Sequence, residues 1–312
     1  MISLTSFAKI NLGLEIIGKR VDGYHNLRTI FQTIDLYDTL QISENDNQQL
    51  RVIGSDKSID WQRGTTIHRM CDLIYGEFRL SQGFDIHVVK RIPPGSGLGG
   101  GSSNAAVILL FLNHHFNLNL PWPEMIKLAA QIGADVPFFL IGGSVLAEGI
   151  GDEILLLDDL EVLTNKSIGL NLPAVQVPTE LIFSRLNLTS GPIVSKIKTF
   201  LKSQDLTILE NNLEKVTFEL FPEIKRLKED MQKLNCELIL MSGSGAALFC
   251  VGKGLENSTS DSSTPPLLIT TAVSRKAYLN RIGVWPSGKA PVFGAGIRRF
   301  ESSHPSKNQY HG

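Results

Sequence analysis

Residues Pro93–Ala106, Pro-Pro-Gly-Ser-Gly-Leu-Gly-Gly-Gly-Ser-Ser-Asn-Ala-Ala, constrain this chain more than any other stretch. Five glycines fall in the seven residues from Gly95 to Gly101. Each glycine costs backbone entropy on folding, so a tract this dense is a poor way to hold a fold together. It fits a place where the backbone must pass very close to something else. A strand-like segment, Phe84–Ile92, enters the tract, and an apolar helix, Ser103–Phe116, leaves it. A glycine-rich turn that opens a helix directs several free N–H groups at one point, where the helix dipole adds partial positive charge. Such a point suits a phosphate.

Known phosphate loops narrow the choice. A P-loop ends in Gly-Lys-Ser/Thr, but Gly101 is followed by Ser102. The dinucleotide fingerprint G-x-G-x-x-G is present as Gly95, Gly97 and Gly100. That fingerprint also wants an acidic residue about 20 positions on, after a second strand. Asn119–Glu124 stands there instead and reads as a turn and a new helix start. A glycine-rich connection with no ligand does not account for a tract that ends in Ser-Ser-Asn.

Pro93–Ala106 resembles the second motif of the GHMP kinases, Pro-x-x-x-Gly-Leu-Gly-Ser/Gly-Ser-Ser-Ala/Asn. Counterparts of that family's other motifs stand at Ala8–Leu14 and Met241–Phe249, in the same order. Arg20–Leu27, Gln32–Asp38 and Gly133–Phe139 resemble the branch that acts on a cytidine-diphosphate-linked methylerythritol. The resemblance covers about residues 3 to 251. It implies an α+β, two-lobed fold: a ribosomal-protein-S5-domain-2-like N-terminal lobe, a ferredoxin-like C-terminal lobe and an active site in the cleft between them. It also implies ATP-dependent phosphorylation of the 2-hydroxyl of that substrate, a step of non-mevalonate isoprenoid synthesis, with Mg2+ as the nucleotide's ion. A homoserine- or mevalonate-type kinase is one alternative. An inactive binding homologue is another, although Lys9 and Asp135 are both retained.

Phosphoryl transfer requires that the donor phosphates be held and neutralised and that the acceptor hydroxyl be aimed and deprotonated. By resemblance Pro94, Gly95, Ser96, Gly97, Leu98, Gly99, Gly100, Gly101, Ser102, Ser103 and Asn104 hold the ATP phosphates. The hydroxyls of Ser102 and Ser103 and the amide of Asn104 add donors at the helix start, and the ligands of the metal stay open. Asp135, between a helix end and Pro137-Phe138-Phe139, is the candidate general base. Lys9 is the cation that could steady the resulting oxyanion. Asn11, two residues on along the same strand face, is a substrate contact. Tyr24 and His25 lie in an Asp-Gly-Tyr-His turn, where an aromatic face can stack on a base and a histidine can read a pyrimidine edge. The resemblance assigns that turn to the cytosine and adds Phe183 as a second aromatic. It places Ser242, Gly243, Ser244 and Gly245 against the phosphates from the second lobe. One departure is Thr65, where the family carries an asparagine near the adenine.

The rest of the composition suits a soluble enzyme. The 312 residues are 42% hydrophobic and 20% charged, and the net charge of −1 gives no electrostatic case for nucleic acid or a membrane surface. The longest apolar run, Ala105–Leu112, is too short to span a bilayer, and no signal peptide is evident. Cys71, Cys236 and Cys250 are scattered and read as reduced thiols, so the expected location is the cytoplasm.

Alternation predicts strands over residues 3–17, 27–40, 50–53 and 84–92, and a hairpin from 143–149 and 153–157. Helical spacing predicts helices over 65–78, 103–116 and 124–132. In the second unit, 167–172 and 181–183 read as strand, 191–203 and 211–234 as largely helical, and 237–240 and 247–251 as strands. The domains are accordingly expected at 1–157 and 158–251. After Val251 the chain turns polar and low in complexity. Codons for Arg299–Ser302 can spell a transfer-RNA T-arm. Residues 252–312 are therefore expected to be a non-native or disordered tail with no functional residue, leaving the second lobe without its final helix.

Overall fold

A computed structural model describes residues 1–186, 194–256, 266–284 and 298–299. The fold is built around one long hairpin. Strand β1 (Ile2–Lys19) pairs antiparallel with β2 (His25–Asn45) along almost its whole length, joined by the Asp22-Gly23 turn. On its other edge, β2 pairs first with β5 (Ser144–Glu148) and further along with β4 (Gly83–Val89). β3 (Leu50–Gly54) joins β4 in parallel, and β6 (Glu153–Leu156) joins β5. A two-residue strand, β11 (Arg298–Arg299), runs beside β6.

Four helices cover this sheet: α1 (Thr66–Phe78), α2 (Gly100–His115), α3 (Trp122–Ile132) and α4 (Val136–Ile141). Helix α2 is apolar all round because it is buried all round; Ala105–Leu112 are at most 4% exposed. It packs with α1, α3 and α4 and against β1. Burying that helix fixes its glycine-rich first turn relative to β1.

The second lobe is a four-stranded sheet in the order β10-β7-β9-β8. Its strands are β7 (Ser167–Asn171), β8 (Leu238–Met241), β9 (Leu248–Gly252) and β10 (Leu268–Thr270). Helices α5 (Thr179–Ser184), α6 (Lys196–Ser203), α7 (Glu214–Leu220) and α8 (Pro222–Met231) belong to it. The lobes share a core in which Ile10 and Leu12 of β1 cluster with Phe200, Leu240 and Phe249. The free edge of β1 is closed by both lobes: Lys9 N donates to Leu98 O at 3.0 Å, and Leu14 N donates to Glu210 O at 2.9 Å. No helix of the described residues is long and apolar enough to cross a membrane.

Three expectations need correction. Residues 181–183 are helical: α5 starts after Pro178 and buries Ile182, so the β-prone run Leu181-Ile182-Phe183 yields to its packing. Helix α4 was not expected, although Pro137 in its first turn is compatible with a helix start. The tail is the third. Leu255 is buried, β10 pairs with β7, and α9 (Arg275–Arg281), capped by Ser274, seats Tyr278 fully buried with its hydroxyl on Phe139 O. Residues 266–284 thus belong to the fold, with α9 docked on the first lobe. Residues 187–193, 257–265, 285–297 and 300–312 lie outside the described residues, and with them most of the low-complexity stretch and Phe300–Ser302.

Candidate active site

A cleft of about 900 Å³ runs between the lobes. Its inner end is lined by Lys9, Asn11, Asp135 and the glycine loop, and its outer end by Tyr24, His25 and Phe183.

At the inner end Lys9 is 3% exposed, a costly place for an ammonium unless it is paired. Its Nζ donates to Asn11 Oδ1 at 2.7 Å, lies 3.3 Å from Asp135 Oδ2 and sits 5.0 Å from the centre of the Phe31 ring. Asn11 is held in turn, its Nδ2 donating to Thr29 Oγ1 at 2.8 Å. Asp135 occupies the N-cap position of α4, yet its side chain caps nothing. The carboxylate turns to Lys9 and stays about one-third exposed, facing the cleft. A cap residue that leaves its own helix N–H groups unserved is placed for another task.

The glycine loop enters the cleft at Pro93 and ends at the first turn of α2. Gly95, Gly97 and Gly99 have φ of 66°, 78° and 74°, in the left-handed region. A side chain at Gly97 would collide with Ser242 O, and one at Gly99 would lie 2.7 Å from Phe139 and 3.3 Å from Lys9 Cε. These glycines let the loop pack against both lobes at once. The first bond of the α2 turn is Ser103 N to Gly99 O at 2.9 Å. The N–H groups of Gly100, Gly101 and Ser102 therefore have no partner in the helix and sit at its positive end, on the cleft wall.

The loop from the second lobe closes on this one. Ser242 Oγ donates to Gly97 O at 3.1 Å, and Asn11 N donates to Ser242 Oγ at 3.3 Å. Ala247 N donates to Ser96 O at 3.0 Å. Gly243 and Ser244 line the cleft, whereas Ser242 is fully buried behind them and Gly245 packs on Met241. Asn211, outside every motif, holds this loop: its Nδ2 donates to Met241 O at 2.8 Å and Gly243 O at 2.7 Å. Nothing local marks Asn211, because its partners lie some thirty residues away.

At the outer end the rings of His25 and Phe183 are 5.5 Å apart, tilted by 36°. Burial, and then the charge of Lys19 opposite it in the strand pair, holds the His25 imidazole below its ordinary pKa, so the neutral ring is favoured. Tyr24 is 63% exposed at the rim. Its turn is fastened by Asp22, which accepts from Tyr24 N at 3.1 Å and pairs with Arg20 at 2.8 Å.

The cleft therefore gathers Lys9, Asn11, Asp135, Pro94–Gly97, Gly99–Ser102, Tyr24, His25, Phe183, Gly243 and Ser244. It does not gather the side chains of Leu98, Ser103 and Asn104. Leu98 is in the core, and Ser6 Oγ donates to Asn104 Oδ1 at 2.7 Å and is hydrogen-bonded to Ser103 Oγ at 2.8 Å. Those two polar residues lock α2 to β1 rather than facing a ligand. Thr65 caps α1, accepting from His68 N, while its neighbour Thr66 lines the cleft and donates to Gly101 O at 2.6 Å.

Comparison with known proteins agrees with this geometry. The chain matches the family descriptions "GHMP kinases N terminal domain" over residues 65–143 and "GHMP kinases C terminal" over 197–261. It is 37% identical over 258 residues to a 4-diphosphocytidyl-2-C-methyl-D-erythritol kinase of Lachnoclostridium phytofermentans, covering 80% of this chain and 88% of that one. A kinase of the same name from Clostridioides difficile is 36% identical over 263 residues, covering 82% and 88%. The crystal structure of a 4-(cytidine 5'-diphospho)-2C-methyl-D-erythritol kinase superposes with a TM-score of 0.72 at 30% identity, covering 87% of this chain and 99% of that one. A homoserine kinase from Cytophaga hutchinsonii, at 17% identity and a TM-score of 0.61 over 82% and 87% of the chains, shares the fold. The paired lobes, the three motifs in order and the relatives together place the chain in the GHMP kinase family, within the branch of the 4-diphosphocytidyl-2-C-methyl-D-erythritol kinases.

Proposed function

We propose that this enzyme transfers the γ-phosphoryl group of ATP to the 2-hydroxyl of 4-diphosphocytidyl-2-C-methyl-D-erythritol, a cytoplasmic step of non-mevalonate isoprenoid synthesis. The observation that carries this reading is the cleft itself. A Lys9–Asp135 pair under a phosphate loop shares one cavity with a His25–Phe183 slot suited to a base. In this reading the cytosine stacks among Tyr24, His25 and Phe183, and the neutral imidazole offers one donor and one acceptor to the pyrimidine edge. The erythritol end then reaches inward to Asn11 and Asp135.

Asp135 accepts the hydroxyl proton as the oxygen attacks the γ-phosphorus and the bond to the ADP oxygen breaks. Lys9, fixed between Asp135 and Asn11, meets the negative charge that develops on the transferring group. Because the cation is already desolvated and held, it needs no reorganisation at that moment.

The cleft fits a magnesium ion carried by the nucleotide. Among the described residues no group of three His, Cys, Asp or Glu side chains is set to hold a metal. The ion would keep phosphate oxygens and waters, as magnesium does, with Ser102 and Asp135 as the cleft's nearby oxygens. It would neutralise phosphate charge. Ser103, bonded to Ser6, is not placed to join it. The test is ADP release from ATP, magnesium and the cytidine substrate, with Asp135→Ala beside the wild type. Turnover that disappears in the variant supports both the activity and the base. Equal turnover in the two removes Asp135 from the chemistry.

A further inference from the structure

Asp38 is fully buried where β4 peels away from β2, one residue past the Thr39–Val89 pair. The mechanism above makes no use of it, and a buried carboxylate is costly unless several donors meet it. Each hydrogen bond given for its carboxylate goes to the three residues that lead into the glycine loop. Oδ1 accepts from Arg91 N at 2.7 Å and Ile92 N at 2.9 Å, and Oδ2 accepts from Lys90 Nζ at 2.9 Å. Lys90 is itself buried and also donates to Ile92 O. A side chain at Gly100, the first residue of α2, would lie 2.9 Å from both Lys90 Nζ and Ile92. The buried pair thus sits directly beneath the helix turn whose free N–H groups face the cleft.

We infer that Asp38 is a positioning residue for the nucleotide: its carboxylate fixes the point from which the glycine loop leaves the sheet. Between Ile92 and Gly100 the chain passes through three glycines at positive φ and has little stiffness of its own. Its far anchors are Ala247 N on Ser96 O, Ser242 Oγ on Gly97 O and Lys9 N on Leu98 O. Asp38 supplies the near anchor. Without it, the N–H groups of Gly100, Gly101 and Ser102 lose their common aim. Among the described residues, no hydrogen bond, ion pair or ring contact joins the base slot at His25 and Phe183 to this turn. A lesion at Asp38 therefore weakens nucleotide binding and leaves cytidine recognition alone. The inference rests on reading residues 94–104 as the nucleotide loop.

The test compares two charge-neutral double variants, Asp38→Asn with Lys90→Met and Asp38→Ala with Lys90→Met. Both remove the ion pair, but the first keeps an Oδ1 acceptor for Arg91 N and Ile92 N. The alanine form is expected to bind ADP about tenfold or more weaker than the asparagine form, with a matching rise in KM for ATP. KM for the cytidine substrate is expected to agree within about twofold. A general loss of structure lowers kcat through the active fraction and spares both KM values. Equal ADP affinity in the two forms, or both KM values rising together, overturns the inference. Amide exchange on the wild type gives a second test that requires no variant to fold. Saturating ADP should slow exchange at Arg91 and Ile92, while a cytidine nucleotide should not. Unchanged exchange there with ADP bound overturns the inference. Absence of ADP binding to the wild type overturns the nucleotide-loop reading instead.

Discussion

The two ends of the cleft are built differently. At the inner end Lys9, Asn11 and Ser242 are buried, and the groups are held more than once. Lys9 is fixed by Asn11, Asp135 and Phe31; the glycine loop is tied to β1 and to the second lobe; and Ser242 touches both Asn11 and Gly97. At the outer end the groups are side chains on a turn and a short helix. Tyr24 stands largely in solvent, and its turn is fastened by the surface pair Arg20–Asp22. The contrast follows from the demands on each end. Phosphoryl transfer is accelerated by preorganised charge, so its groups must not move. A base can be gripped by stacking surfaces that adjust as it enters.

The largest effect should come from the inner end. Asp135→Ala is expected to lower kcat by about a thousandfold. Its melting temperature should fall only modestly, because the carboxylate caps no helix and is partly exposed and Asn11 Oδ1 still accepts from the buried Lys9 Nζ. A variant that melts much earlier would show Asp135 to be structural and blur the contrast.

Gly97→Ala comes next. Position 97 combines a positive φ with a carbonyl of the second lobe where the new methyl would go. The expected cost is about 1–3 kcal/mol, read as a lower melting temperature together with a higher KM for ATP. An unchanged KM for ATP would mean that the loop tolerates displacement and that the inner end is less rigid than described.

Phe183→Ala tests the outer end. Loss of a stacking face is worth about 1–3 kcal/mol per base, so KM for the cytidine substrate should rise about tenfold. KM for ATP should not move. A shift in both would show that the two ends are not separable.

The smallest effect is in pH dependence. The His25 pKa is held below its ordinary value, so the neutral ring persists to lower pH than a free histidine would allow. KM for the cytidine substrate should stay flat down through about pH 6.5 and rise only below it. Lys19→Met removes one of the two causes, raises the His25 pKa and should bring that rise to higher pH. A rise that starts near pH 6.5 in the wild type would contradict the buried, neutral ring.

The inner end was also the more legible in the sequence. Glycines at 95, 97 and 99–101 are costly anywhere else, so their density announces a close backbone approach. Lys9 and Asp135 were found through motifs in register, but their pairing across 126 residues is a product of the fold. What the sequence concealed was the scaffolding. Ser103 and Asn104 look like ligand donors because they open a helix, yet Ser6 claims them. Asn211 carries no local signature, and Asp38 closes the Gln32–Asp38 motif without showing its role, since the groups they serve lie across the molecule. Helix α5 was hidden by a β-prone run whose packing overrode it. Helix α9 was hidden by the polar stretch before it, although Ser274 is a good cap and Tyr278 a natural anchor.

One measurement bears most directly on the central claim that one cleft joins a phosphoryl-transfer end to a cytidine-binding end. It is ADP release by the purified enzyme, with ATP and magnesium, against 4-diphosphocytidyl-2-C-methyl-D-erythritol, homoserine and mevalonate in parallel. Turnover is expected with the cytidine-linked alcohol alone. Turnover with homoserine or mevalonate, or none with any acceptor from folded protein, would contradict it.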